Sequence, residues 1–171
     1  TGVSPFSYVA TGTWSSDYIQ TLKDAGVIQG YADGTYRPDA SITGQDLALM
    51  MSRYMGYGKR TQMPLVSVDL PSAAHSYAQG AIELLVKLGY VQPTDSMVQY
   101  PTRPVTREDA ARWINRMLGR TPSASLPMVF KDLLGAKQVS ADVLEAITTH
   151  EIYLDKQGKE MIKRVLEEEI W

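Results

Sequence analysis

Tyr18-Ile19-Gln20-Thr21-Leu22-Lys23-Asp24-Ala25-Gly26 has a counterpart 63 positions on, Ala81-Ile82-Glu83-Leu84-Leu85-Val86-Lys87-Leu88-Gly89. The same offset carries Thr43 onto Thr106 and Asp46 onto Asp109. One shift that serves two separate segments marks an internal repeat, and a repeat settles the architecture before any single element is considered.

Each copy reads as helix, loop, helix. A short extended segment comes first: Phe6-Ser7-Tyr8-Val9, then Ser67-Val68-Asp69-Leu70, then Phe130-Lys131-Asp132-Leu133. The first helix of the first copy carries Trp14, Tyr18, Ile19, Leu22 and Ala25, and that of the second carries Tyr77, Ala81, Ile82, Leu85 and Leu88. Gly26 and Gly89 stop them, at the position after a helix that favours a left-handed residue. Thr43 and Thr106 are N-caps with Asp46 and Asp109 three residues on, close to a capping box. The second helices show apolar stripes, Leu47, Met50, Met51 and Tyr54 against Ala110, Trp113, Ile114 and Met117, whose plain use is core packing. Polar stretches with Gly and Pro at 56–64 and 119–127 separate the copies. The expected domains are 1–58, 65–119 and a degenerate 128–171. In the third, a helix is expected over Ser140 to Ile152 and another over Lys159 to Ile170, joined by the turn Leu154-Asp155-Lys156-Gln157.

Composition agrees with a folded chain and narrows its partners. Of 171 residues, 44% are hydrophobic and 21% charged, enough for a core and too few charges for disorder. A net charge of −2 gives no global field for nucleic acid, so any anion recognition has to be local. No cysteine is present, which excludes disulfides and thiolate chemistry. No apolar run reaches the length of a membrane span, and Thr1 to Ala10 lacks a leader pattern, so an exported protein would be represented here by its mature part.

Gly30-Tyr31-Ala32-Asp33-Gly34-Thr35-Tyr36-Arg37-Pro38-Asp39 resembles the signature loop of S-layer homology domains. Trp14, the Gly26-Val27-Ile28 step and Ile42-Thr43 stand in family order around it. The second copy is similar through Ala81-Ile82, Leu88-Gly89-Tyr90 and Val105-Thr106-Arg107-Glu108-Asp109, the third through Phe130, Asp132 and one helix. The resemblance implies an all-α, mainly helical fold, with three helix-loop-helix repeats packed as a pseudo-threefold, three-pronged module. It further implies binding of secondary cell-wall polysaccharide, commonly carrying pyruvate ketals, in grooves between prongs. The chain would then be an extracellular anchor at a bacterial cell wall or surface layer, partnered by wall polysaccharide attached to peptidoglycan. Protein partners in a surface layer or a parent polypeptide are open; nucleic acid, membrane insertion and cofactors are not expected.

Within that frame Arg107 is the leading candidate for the ligand's carboxylate. It falls in the first turn of a helix capped by Thr106, where a planar donor fork and unsatisfied N–H groups can converge on one anion. The plain alternative is that Glu108 and Asp109 balance it in a surface ion pair. The first copy has Gly44 in that slot, and the third offers Lys159, an ammonium without the bidentate fork. The family's acid two residues after an aromatic corresponds to Tyr8, Asp69 and Asp132, so the first copy has lost it. The best-equipped groove should therefore use Arg107 with the second and third copies. Tyr31, Tyr36 and Arg37 are candidates for packing or sugar contact, and Trp14, Asp69, Asp132, Thr106 and Lys159 complete the glycan set, with buried hydrogen bonding that joins neighbouring prongs the favoured alternative for Asp69 and Asp132. A calcium loop starting at Asp33 fails, because Arg37 would hold a ligand position and no acid occupies position twelve. No metal is expected.

Catalysis has little to stand on. The two histidines, His75 and His150, show neither metal nor triad spacing, and His150 is expected near a helix end. Scattered acids supply no motif that pairs them across a cleft. The leading expectation is a non-catalytic glycan anchor. Behind it stand a repurposed structural or protein-interaction module and, last, a glycan-processing enzyme.

Overall fold

The computed structural model describes residues 6, 13, 15–58, 74, 76–122, 140–147, 150–154, 156–157 and 160–165. The chain forms two compact units, Thr1–Val105 and Thr106–Trp171. Six helices and one hairpin among the described residues make it mainly helical, in the expected class.

In the first unit α1 (Ser16–Asp24) ends where the repeat requires: Gly26 and its counterpart Gly89 have φ of 72° and 77°, which only glycine adopts at little cost. Ile19 is buried with Phe6, Val27 and Ile28, and Leu22, Tyr36 and Met50 pack on this cluster. Tyr18, expected on the apolar face, is 68% exposed. It neighbours Ile19 along a helix whose buried stripe is narrow, so its ring falls on the solvent side.

Helix α2 (Gly44–Tyr54) is shared between two cores. Thr43 is extended and its Oγ1 accepts from the Asp46 N–H at 3.4 Å, while its hydroxyl donates to Asp46 Oδ2 at 2.6 Å. The expected cap is therefore present, with the acid answering the threonine hydroxyl. Leu47, Ala48 and Met51 are buried, and α2 packs on α3 (Gln79–Lys87) and on the single turn α4 (Ser96–Gln99). Ala81, Ile82, Leu84, Leu85, Met97 and Val98 supply that second core. Removing some six side chains of this kind from water stabilises the unit by roughly 1.5–3 kcal/mol each for the larger ones.

Second-copy backbone also closes over the start of α2. The Gly44 N–H donates to the Arg103 carbonyl at 3.1 Å and the Gln45 N–H to that of Pro101 at 2.8 Å. A Cβ on Gly44 would stand 3.0 Å from Met97 Cα and 3.3 Å from Pro101 O. Two of the amides that a helix start leaves unsatisfied are thus consumed by protein.

In the second unit α5 (Arg107–Met117) is capped by Thr106, whose Oγ1 accepts from the Asp109 N–H at 3.1 Å. It packs on α6 (Ala141–Ile147), with Trp113 and Asn115 fully buried. Asn115 Nδ2 donates to the Asp142 carbonyl at 2.9 Å, and Arg112 lies 3.6 Å from Asp142 Oδ2.

The end of the chain departs from expectation. Of the helix expected over Ser140–Ile152, Ala141–Ile147 is helical and His150 onward is a strand, and the one expected over Lys159–Ile170 is a strand where it is described. β1 (His150–Leu154) and β2 (Glu160–Val165) pair antiparallel from His150↔Val165 to Leu154↔Glu160, with an irregularity at Glu151/Ile152. Short apolar runs do not distinguish helix from strand by period alone. Ile152, Tyr153, Ile162 and Val165 favour extended backbone, and a five-residue connection closes a hairpin readily. His150 therefore opens a strand and does not sit at a helix end.

Candidate functional site

The signature loop is built around Asp33. Its Oδ1 accepts from the Thr35 N–H at 3.0 Å and the Thr35 hydroxyl at 2.7 Å, and Oδ2 accepts from Arg37 Nη2 at 2.6 Å. The Thr35 hydrogen bonds, side chain first, and then Arg37 hold the Asp33 carboxyl down at about 2. Arg37 Nε also donates to Thr35 Oγ1 at 3.1 Å, and its guanidinium stacks 4.3 Å above the Tyr31 ring. This clamp keeps Arg37 at φ 56°, unusual for a residue with a Cβ. Gly30 permits the tight closure: with φ 74°, a Cβ there would strike the Phe6 ring and stand 2.7 Å from the Thr35 carbonyl.

Loop and α2 enclose a groove of about 490 Å³. Tyr31, Tyr36 and Arg37 line it from the loop, Asp46, Leu49, Met50 and Arg53 from α2, and Tyr77 from just before α3. The four α2 residues recur at i, i+3, i+4 and i+7, one face of the helix. Tyr77, expected to pack in the second copy, is 52% exposed; its hydroxyl accepts from Gln45 Nε2 at 2.8 Å and donates to Asp46 Oδ1 at 3.2 Å. Partial burial, then the Asp46 carboxylate, raises the Tyr77 phenol above its usual range. Burial likewise raises that of Tyr36, with Tyr31 adding to it.

Arg53 is half-buried. Nη1 donates to the Val27 carbonyl at 3.5 Å and Nη2 to Gln29 Oε1 at 3.0 Å, while Nε is buried without an acceptor. Burial lowers its basicity and nearby Asp46 opposes that effect. Neither Asp46 as a groove wall nor Arg53 belongs to a recognisable sequence motif. The available signal was polar residues seven apart on a helix already assigned.

Of the expected glycan residues, Tyr31 and Arg37 meet in this groove. Thr106 and Arg107 stand at the start of α5 in the other unit. There Glu108 and Asp109 pair with Arg112, both at 2.9 Å, so the expected alternative partners of Arg107 are engaged elsewhere. Arg107 is exposed, and its side chain has no hydrogen bond or ion pair among the described residues. Trp14, Asp69, Asp132, Lys159 and His75 lie outside the described residues. No cluster of His, Cys, Asp and Glu able to hold a metal occurs among the described residues, and no helix there is long and apolar enough to cross a membrane.

Comparison with known proteins adds names to this geometry. The S-layer homology domain profile matches residues 6–48 and again 69–111. Cell surface glycoprotein 1 of Acetivibrio thermocellus is 27% identical over 172 residues, covering 96% of this chain and 7% of that protein. A cellulosome-anchoring protein of the same organism is 28% identical over 155 residues, 90% of this chain and 35% of the relative. The outer membrane protein SlpA of Thermus thermophilus is 25% identical over 155 residues, 82% and 16% respectively. The chain thus spans about a third or less of the length of these relatives.

Proposed function

Because the chain belongs to the S-layer homology domain family, we propose that it is a cell-surface anchoring module that binds secondary cell-wall polysaccharide and carries no catalysis of its own. The observation that carries the reading is the tandem family match at 6–48 and 69–111. Relatives named as a cell surface glycoprotein and a cellulosome-anchoring protein support it, and they place the module at a cell surface or wall. The groove adds chemical support: exposed tyrosine rings beside a carboxylate and guanidinium groups suit a saccharide, whose faces stack and whose hydroxyls need acceptors.

The finer parts of the reading are these. The glycan carries a carboxylate, as a pyruvate ketal does. Arg107 receives it at the start of α5, where its fork is uncommitted among the described residues and the helix N-terminus adds favourable potential. Thr106 orients that turn, Asp69 and Asp132 join neighbouring copies or touch the sugar, and Trp14 and Lys159 complete the set. The segment 128–171 is a divergent third copy in a pseudo-threefold module, its second helix replaced by the β1–β2 hairpin.

Co-sedimentation with purified wall sacculi tests this. The chain should pellet with sacculi that retain their polysaccharide, and much less after mild acid removes pyruvate. Arg107→Ala should weaken pelleting without altering the melting curve. A chain that stays in the supernatant with intact, polysaccharide-bearing sacculi would show that the fold serves another role. Protein interaction is then the reading to take up, since second-copy backbone already closes the α2 start.

A further inference from the structure

The first copy has no arginine at its helix start, and the structure explains why. Gly44 lies under Met97 and Pro101, and the amides of Gly44 and Gln45 are spent on second-copy carbonyls. An anion site like the one at Arg107 is physically closed here. The groove beside it is nonetheless open, its lining mixes polar and apolar side chains, and two arginines line it.

Their situations differ. Arg37 is already neutralised by Asp33 and stacked on Tyr31. Arg53 gives its hydrogen bonds to two neutral oxygens, keeps a buried Nε without an acceptor, and has no carboxylate within ion-pair distance among the described residues. A half-buried cation of this kind lacks the partner that burial normally demands. One of its two neighbours, Gln29, is exposed, so an incoming anion can take the place of Oε1 without opening the core.

Resting on the glycan reading above, we propose that Arg53 is the residue with which the first copy's groove reads the carboxylate of an anionic saccharide, in place of an arginine at the helix start. Asp46 limits the ligand to a single negative charge. It lines the same groove as Arg53, seven residues earlier on one face of α2, so a dianion such as a phosphate monoester meets repulsion that a monocarboxylate meets half as strongly. Asp46 can still accept from a sugar hydroxyl, and the Tyr31 and Tyr77 rings flank the position. The groove volume lies in the range of clefts that hold small ligands, roughly 300–1,000 Å³.

The test uses the whole 171-residue chain and two probes: a methyl hexoside bearing a 4,6-O-(1-carboxyethylidene) group, and its neutral methyl ester. Calorimetric titration is run on Arg107→Ala protein, so that the first-copy groove is read alone. Acid should bind at least tenfold more tightly than ester. Arg53→Lys, which keeps the charge and loses the planar fork, should weaken acid binding about tenfold and leave ester binding alone. Gln29→Glu is the variant that protects the fold. It places a carboxylate on Arg53 Nη2, so it should raise the melting temperature and abolish the preference for acid. If both variants, folded by circular dichroism, keep the wild-type preference, Arg53 is not the reader. That result leaves anchoring intact provided wild-type chain still pellets with sacculi; failure of wild type to pellet removes both.

Discussion

Adding a methyl group at residue 44 should loosen the first unit. Alanine is ordinarily a better helix former than glycine, and where the backbone accepts it a Gly→Ala change gains about 0.4–1 kcal/mol. The backbone accepts it here, since Gly44 is not among the glycines of positive φ. Space decides the sign. The new Cβ would stand 3.0 Å from Met97 Cα and 3.3 Å from the Pro101 carbonyl, both backbone atoms that cannot swing aside. Overpacking of that kind costs about 1–3 kcal/mol. Moving α4 to relieve it would lengthen the 3.1 Å and 2.8 Å bonds from Gly44 and Gln45, each worth about 0.5–1.5 kcal/mol. The balance is a net loss of about 1–2 kcal/mol, or a fall in Tm of about 2–8 °C for a chain of this length. Urea and thermal unfolding followed by far-UV circular dichroism measure it, and amide shifts of residues 97–103 report whether α4 moves. Gly44→Arg, which restores the missing arginine, should lose more stability still and gain no affinity for glycan. If Gly44→Ala proves as stable as wild type, with residues 97–103 undisturbed, the closure of the α2 start is wrong.

Three further outcomes are expected. Gly30→Ala should destabilise the signature loop by more than 2 kcal/mol, since it combines a positive φ with a clash against the Phe6 ring, and thermal melts would reveal it. The Asp33 carboxyl, followed by carbon NMR, should titrate near 2. Its folded value lies below the ordinary 3.8, so the loop's support is complete above that value and disappears as pH falls through about 2, and Thr35→Val should move the titration upward. Thr106→Ala should cost the second unit about 1 kcal/mol through loss of the cap to the Asp109 N–H, measurable in urea.

Repetition made the helices legible. Caps at Thr43 and Thr106 and stops at Gly26 and Gly89 recur at one offset, and each lies where the structure has it. The site was legible only in part. Tyr31 and Arg37 share a contiguous loop motif, so their meeting in one groove was readable. Arg53 was not, because its significance depends on which residues fail to approach it, and a pattern of apolar positions along α2 carries no record of that. Tyr77 belongs by spacing to the apolar stripe of its own copy, yet it lies just before α3 with its hydroxyl bonded to Gln45 and Asp46, more than thirty positions earlier. The hairpin was missed for a more ordinary reason: runs of five and six residues that mix apolar and charged side chains fit either period, and pairing between the two neighbouring strands decides.

The carbonyls of Pro101 and Arg103 that finish α2 bear on how such modules are cut and recombined. A gene fragment stopping in the 56–64 linker encodes a helix with its first amides stripped of acceptors and Leu47, Ala48 and Met51 turned toward water. Shuffling single copies between proteins, or trimming a display tag to one copy, therefore severs a shared part. Fusion boundaries drawn after the loop that reaches Val105 keep it whole, and duplication in multiples larger than one copy is the route that this architecture leaves open.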